Sequence, residues 1–493
     1  MTDTRSNVLA RIGPFWTVFL GSLLLSVVAV WGKITPNNDG MLYVEAALLF
    51  QAGGLATATQ VYDWVFLSVL IGLLANFTGL ATETAAYLLS AFLLASLGAV
   101  LVGVTRELSP QAAWAAVVVV LVLPALNNYR DFIIREHGSW LFSLLAIWLM
   151  IRWARHRRWT LAVGSQLLLV IAALFRPESL AFLAVPFLWL VWQVRSREDL
   201  RQLAQFAVLP VIGAGALIVL IVATDLGIAA KVLRQLSAID LPAQVLKFQL
   251  ASERVWPQLS DYLRGRDAER VLFFGLLALI PIKFVTNLGV LALPMLRPTM
   301  WQSRLLEWRT AAPLAWAFAL YAVVLAALVL DIFFMQARFV ALLNIFAVPV
   351  LAVALHRLWQ DWPRFRWVVL TIATVAALAN VISTTPKHLR YLDTVTWLSA
   401  QQIDPTQVYF DEPAIGYLVG VGRSNNASPG FRGARVLLEE AIAEDRFELY
   451  VLTGKAGDDE LLAWGETNGL TLLAEFSDQR RDRVYVFRKR LAE

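Results

Sequence analysis

Twelve stretches of this chain are apolar over a length that reaches or approaches a bilayer crossing, and no other feature restricts the fold as much. They lie at 14 to 31, 62 to 80, 84 to 104, 110 to 126, 138 to 151, 159 to 175, 179 to 194, 205 to 224, 270 to 296, 312 to 330, 339 to 356 and 367 to 383. A hydrocarbon core about 30 Å thick asks for roughly 17 to 25 helical residues. Composition agrees: 58% of the 493 residues are hydrophobic and 16% charged, with a mean hydropathy of +0.62, too apolar for a soluble globular chain. Trp16, Trp31, Trp64, Trp140 and Trp159 sit at the flanks of the runs, where an amphipathic ring favours the headgroup layer. The first run ends in VAVWGKITP without a small-residue cleavage site, so it reads as a retained anchor.

The net charge of +5 is a statement about topology. The arginines lie beside apolar runs and form no separate basic domain, which argues against nucleic acid as a partner. The chain has no cysteine, so disulfides, thiolate zinc sites and cysteine nucleophiles are excluded. Basic clusters in short loops stay cytoplasmic. Here they are Arg5 and Arg11, residues 152 to 159, residues 195 to 201, Arg297 with Arg304 and Arg309, and residues 356 to 367. Five runs separate Arg11 from Arg152, yet two cytoplasmic ends are joined by an even number of crossings. The run at 62 to 80 opens within VYDW, carries Asn76 and Thr78 and leads into GLATET. We assign it, with the preceding MLYVEAALLFQAGG, to juxtamembrane helices on the outer face. About 11 transmembrane helices remain, with the N-terminus cytoplasmic and the C-terminus outside.

That arrangement places 32 to 83, 127 to 137, 176 to 178, 225 to 269, the turn from Asp331 to Arg338 and everything beyond about 385 on the outer side. These segments hold the unusual polar residues: Asp39, Tyr43 and Glu45; Arg130, Asp131, Arg135, Glu136 and His137; Arg176 and Glu178; Asp331 and Arg338. Any one of them alone reads as a solvated or mutually paired loop end. Four such segments on one face read as a site, because charge at the membrane margin is costly unless paired or facing a wet cavity. An arginine opening an apolar helix, as in Arg338 before FVALLNIFAVPVLA, offers a planar, permanently charged fork to a phosphate at headgroup depth. A carboxylate on the same face can take a proton from an acceptor hydroxyl or amine. A metal centre is not expected: Asp39 and Glu45 are six apart and the histidines at 137, 156, 356 and 388 have no ligand spacing.

The stretch NNDGMLYVEAALLFQAGG, with an Asp just after the first run, resembles the opening loop of the GT-C fold glycosyltransferases, the group that includes protein O-mannosyltransferases and lipid A aminoarabinose transferases. LFRPESLAFLAVPF at 174 to 187 and QARFVALLNIFAVPVLA at 336 to 352 are similar to further segments of that family, and the resemblance covers most of residues 10 to 385. The chain departs from the family in two places. The acidic dipeptide of the protein mannosyltransferases is Asp39-Gly40, and the proline pair opening the second juxtamembrane segment is QVYDW. The resemblance implies an integral membrane enzyme, located in a bacterial inner membrane, that moves a sugar from a polyprenyl-phosphate donor to an extracytoplasmic lipid, glycan or protein acceptor with inversion. No cofactor is assigned from the sequence, and the metal requirement is left open. Under the resemblance Asp39 is the base and Arg338 binds the lipid phosphate. Arg135, Glu136 and Arg176 read as substrate-cavity residues without a fixed role, Tyr43 and Glu45 as residues that contact substrate or orient the Asp39 loop, and Lys283 as either a snorkelling lysine or a second phosphate ligand.

Beyond 386 the hydropathy falls, and QVYFDEP, FELYVLTG, LTLLAEF and RVYVFRK read as short strands separated by helical ARVLLEEAIAEDR and GDDELLAWGETNG. The expectation is a transmembrane domain over 1–385 and a small soluble α/β domain over 386–493. TGKAGDD lacks the spacing and the Gly-Lys-Ser/Thr ending of a phosphate loop. Asn76-Phe-Thr and Asn426-Ala-Ser fit the glycosylation sequon, a pattern short enough to arise by chance. The competing class is a flippase or transporter of an anionic lipid, which should show midplane helix breaks and an internal repeat. Only LIPIKF, around Lys283, hints at such a break.

Overall fold

The structure is a computed structural model, and it describes residues 7–223, 241–259, 266–296, 308–382, 389–422, 431–478 and 482–490. Arg5, Arg297, Arg304, His388, Asn426 and residues 224–240 of the expected outer loop lie outside the described residues. In chain order the helices are α1 Asn7–Val30, α2 Asn38–Ala58, α3 Phe66–Thr78, α4 Thr82–Leu108, α5 Ala113–Val122, α6 Pro124–Asn127, α7 Glu136–His156, α8 Trp159–Phe175, α9 Val185–Leu190, α10 Arg197–Ala204 and α11 Val208–Ala223. They continue with α12 Leu241–Leu259, α13 Arg266–Leu288, α14 Trp308–Ile332, α15 Ala337–Asp361, α16 Arg366–Val381, α17 Leu389–Ala400, α18 Pro413–Leu418, α19 Phe431–Ala443 and α20 Asp459–Thr467.

Six helical segments among the described residues are long and apolar enough to cross a membrane: Gly13–Val30, Asn38–Ala58, Thr82–Leu108, Asp267–Met295, Arg309–Ile332 and Ala337–Asp361. The run at 62 to 80 forms only the 13 residues of α3, about 20 Å of helix and short of a crossing. In α2 the backbone breaks at Gly54 (φ 76, ψ −162), which leaves about 24 Å of continuous helix before the break. The run at 179 to 194 is not one α-helix. It is a 3₁₀ segment Pro177–Ala184, then α9, then a 3₁₀ turn Val191–Gln193. Pro177 and Pro186 each remove an amide from the ladder, and a 3₁₀ rise of about 2 Å per residue lets this short segment cover roughly 30 Å.

The chain forms two compact units. One comprises residues up to Ser26, Ala91–Arg130 and Arg135–Val381. Its core is built where small residues let backbones approach. Gly98 of α4 faces Val120 of α5 and Val18 of α1, and Gly21 of α1 faces Leu121. Such contacts hold helices together where lipid removes the hydrophobic drive. α7 and α8 form an antiparallel hairpin, and α15 packs against α5, α13 and α14. Arg130, 1% exposed, pins the end of α6 to α1: its Nη1 donates to Ser22 O at 3.0 Å and Ser22 Oγ at 2.8 Å, and its Nε to Asn127 Oδ1 at 2.7 Å. Burial lowers its guanidinium to about 9.

The other unit comprises Val27–Ser90, Asp131–Ile134 and the chain from Ile382 on. The four expected strands are present as β1 Val408–Phe410, β2 Leu449–Lys455, β3 Leu470–Ser477 and β4 Asp482–Lys489, in the order β1-β2-β4-β3. β1 runs parallel to β2, and the other pairs are antiparallel, with a bulge between Leu472 and Ala474. Alternation splits the sheet into two faces. Val408, Phe410, Leu449, Val451, Val484 and Val486 pack with Tyr391 and Leu398 of α17 and with Met41 of α2. Tyr409, Tyr450, Leu452, Tyr485 and Phe487 pack with Leu438 and Ile442 of α19 and Trp464 of α20.

Candidate functional site

Three helix ends of the first unit carry its charged cluster. α8 stops at Phe175 because Pro177 follows: Arg176, the residue before that proline, is held extended (φ −146, ψ 115). α7 begins at Glu136 with Arg135 as its N-cap, and a carboxylate in a first helical turn is favoured by the helix dipole. Arg338 is the second residue of α15, after Gln336 as N-cap. Ser139 and Ser179 hydrogen-bond at 2.8 Å and tie α7 to the segment after Arg176.

Glu136 is the hub. Its Oε1 accepts from Arg176 Nη1 at 2.6 Å and lies 3.5 Å from Arg338 Nε. The side chains of Glu136, Arg176 and Arg338 are 5%, 13% and 19% exposed, so the group is desolvated yet open at one edge. Arg176 Nη2 also pairs with Glu178. Both guanidinium groups lie against the Phe339 ring, at 5.2 Å for Arg176 and 5.4 Å for Arg338. Tyr321 of α14 donates to Phe339 O at 2.9 Å and fixes that turn. Burial works against the Arg176 charge, but the Glu136 and Glu178 carboxylates outweigh it and hold the group above its ordinary value. Arg176 Nε is buried with no acceptor among the described residues. Burial and Glu136 push the Tyr129 phenol up to about 12 against the opposing effect of Arg338, so it stays a hydrogen-bond donor.

The sequence-derived residues Glu136, Arg176 and Arg338 therefore come together. Arg135 is half-buried beside them in the chain. Lys283 lies half-buried in α13 and forms no ion pair among the described residues. Its helix is tied to the start of α15 instead by Asn287, whose Nδ2 donates to Ala337 O at 2.8 Å, and by Asn344, whose Nδ2 donates to Phe284 O at 2.8 Å. Asp331 pairs with Lys247 of α12 at 2.7 Å, and Arg338 pairs with Glu136. Tyr129, Tyr321 and Lys247 were not singled out from sequence. Tyr321 had a signal, since a tyrosine inside an apolar run needs an acceptor for its hydroxyl.

Asp39, Tyr43 and Glu45 belong to the second unit. Asp39 is half-buried in the first turn of α2. Tyr43, 5% exposed, follows one turn later with its ring 5.9 Å from Tyr62. The start of α2 is fixed from outside: Asn37 Oδ1 accepts from Ile133 N at 2.8 Å, and Lys33 pairs with Asp131. A Cβ on Gly40 would stand 2.8 Å from Asn37 Oδ1 and 3.0 Å from Ile133 Cβ, so an acidic residue has no room beside Asp39. Met41 and Glu45, one turn apart, take the opposite side of α2 from Asp39 and Tyr43. Met41 enters the sheet core, and the Glu45 carboxylate abuts Gly422, where a Cβ would stand 2.7 Å from Oε1. Among the described residues no group of three or more His, Asp or Glu could hold a metal ion.

No protein-family model matches the chain, and no curated protein sequence matches it. Among solved structures it is similar to an Archaeoglobus fulgidus oligosaccharyltransferase tethered to an acceptor peptide, at 12% identity over 90% of this chain and 70% of that one, with a TM-score of 0.49. It is also similar to ArnT from Cupriavidus metallidurans bound to undecaprenyl phosphate, at 13% identity over 95% and 97% of the two chains and a TM-score of 0.39. The apo state of that ArnT gives 12% identity over 97% and 98%, with a TM-score of 0.41.

Proposed function

We propose that this protein is an integral membrane glycosyltransferase that moves a sugar from a polyprenyl-phosphate donor to an extracytoplasmic acceptor. The observation that carries the reading is the pair of desolvated arginines, Arg176 and Arg338, that share the Glu136 carboxylate, with Glu178 also on Arg176. A phosphate entering at the open edge competes with Glu136 for two planar forks, and the unpartnered Arg176 Nε is a donor waiting for it.

In the reaction the acceptor oxygen or nitrogen attacks the anomeric carbon from the face opposite the phosphate. A new bond forms to that carbon, the bond from carbon to phosphate oxygen breaks, and the polyprenyl phosphate leaves with the electron pair. The arginines stabilise the charge that collects on the leaving phosphate. The acceptor proton passes to a carboxylate, and the sequence resemblance assigns that role to Asp39. Eleven crossings, a cytoplasmic N-terminus and an outer-face site in a bacterial inner membrane complete the reading.

The test is transfer by the purified full-length chain reconstituted in vesicles with a radiolabelled polyprenyl-phosphate sugar. Label should move to an acceptor fraction extracted from the cell envelope, and free polyprenyl phosphate should appear in equal amount. Passage of the labelled lipid between leaflets with no release of polyprenyl phosphate would replace the transferase with a transporter.

A further inference from the structure

A second arginine pair lies in the first unit, at the other end of the helices that carry the Glu136 cluster. α7 runs 21 residues from Glu136 to His156, about 31 Å of rise, and Arg157 is its left-handed C-cap (φ 53). Beside it opens a cavity of about 620 Å³ lined by Arg157, Trp189, Trp192, Arg309, Thr310 and Trp316, among others. The rise of α7 sets this cavity about 31 Å from the Glu136 end of that helix, apart from Arg176 and Arg338.

The lining is built for an amphipathic anion. The Arg157 guanidinium sits 4.5 Å over the Trp153 ring, and Trp153 is itself held by Gln205 Oε1 at 2.9 Å and by the Trp189 ring at 6.0 Å. Arg309 makes no ion pair among the described residues. Arg309 and Thr310 lie in α14 beside the cavity, Arg309 exposed and Thr310 buried. Asp199 is the acid that acts on Arg157, but its Oδ2 already accepts from Arg195 N at 3.0 Å and from Ser196 N and Oγ at 2.9 Å each. Trp189 is buried, Trp316 half-buried and Trp192 exposed, a graded indole wall suited to the layer between headgroup and acyl chain.

We infer that this cavity binds the phosphate headgroup of an anionic glycerophospholipid on the cytoplasmic surface, with Arg157 and Arg309 holding the phosphate and the tryptophans lining the upper acyl chain. The site is separate from the donor site and stands whether or not the transferase reading does. A free phosphate ester would share the arginines but have no use for the indole wall.

The experiment titrates the full-length protein in a neutral detergent with phosphatidylglycerol, phosphatidylcholine and glycerol 3-phosphate, counting bound lipid by native mass spectrometry. Phosphatidylglycerol should bind at least ten-fold more tightly than phosphatidylcholine, and glycerol 3-phosphate should not displace it at equal concentration. Arg157→Asn, chosen because asparagine tolerates the left-handed conformation, combined with Arg309→Gln should cut the preference by more than ten-fold. A control pair, Arg197→Gln with Arg364→Gln, alters exposed arginines on other segments and should leave it intact. Retention of the preference in the first pair, equal loss in the control pair, or displacement by glycerol 3-phosphate would each overturn the assignment.

Discussion

At the scale of single residues the account turns on what each charge can do that its isostere cannot. Asp39→Asn keeps shape but cannot accept a proton, so donor-lipid binding should stay at the wild-type level while transfer falls by about a hundredfold or more. Turnover within a few-fold of wild type would remove Asp39 from the chemistry. Arg338→Lys keeps the charge and loses the fork, so transfer should fall partly, whereas Arg338→Ala should fall severely. Because removing a guanidinium leaves Glu136 buried and underpaired, the alanine variant is to be compared with Arg338→Ala/Glu136→Gln, in which the stranded charge is gone; transfer should stay low in both. The charged residues of this cluster were legible in the sequence because charge at the end of an apolar run is rare and conspicuous. Their partners were less so. Asp331 and Arg338 sit within one short turn and look like a pair, yet Asp331 binds Lys247 and Arg338 binds Glu136, a choice made by α12 and α7 arriving from distant parts of the chain. Lys283 shows the same limit: a lysine in an apolar run is visible, but the direction it faces is set by how α13 packs.

Elements were legible wherever the hydrophobic run was uninterrupted. The run at 159 to 175 is α8 residue for residue, and the runs at 312 to 330 and 339 to 356 lie within the longer α14 and α15. The run at 179 to 194 is not one α-helix, since periodicity is weak over so short a stretch and Pro177 and Pro186 tip it toward 3₁₀ geometry. Contacts between elements were invisible to the sequence, and the α7–α8 hairpin shows what they demand. A Cβ at Gly138 would stand 2.3 Å from Phe175 Cε1 and 2.4 Å from Cδ1, and the Phe175 ring is buried and stacked at 5.9 Å on Phe142. Gly138→Ala should therefore destabilise the protein by about 1–3 kcal/mol, read as a lower apparent melting temperature in detergent. Because Glu136 and Arg176 are each a residue or two from that contact, donor affinity should weaken in the same variant. A melting temperature equal to wild type would mean that α7 and α8 do not pack this closely.

For the molecule as a whole, the sequence made the class of protein plain through hydropathy, and the small sheet through four alternating segments. It did not disclose that α2, α3 and residues 131–134 join the sheet in one compact unit, because that grouping depends on contacts such as Met41 against Phe410 and Glu45 against Gly422, far apart in the chain. The orientation rests on the basic loops, and the absence of native cysteine makes it simple to test. Glu198→Cys should be shielded from an impermeant thiol reagent in intact cells, and Ser399→Cys should react; the reverse pattern would put the arginine cluster on the cytoplasmic side. The central claim is that Arg176 and Arg338 exist to hold a lipid phosphate, and equilibrium binding of polyprenyl phosphate to the purified full-length chain tests it most directly. Wild type should bind saturably, with affinity reduced at least ten-fold in Arg176→Ala and in Arg338→Ala and unchanged in Arg364→Gln. Wild-type affinity in both alanine variants would contradict the account.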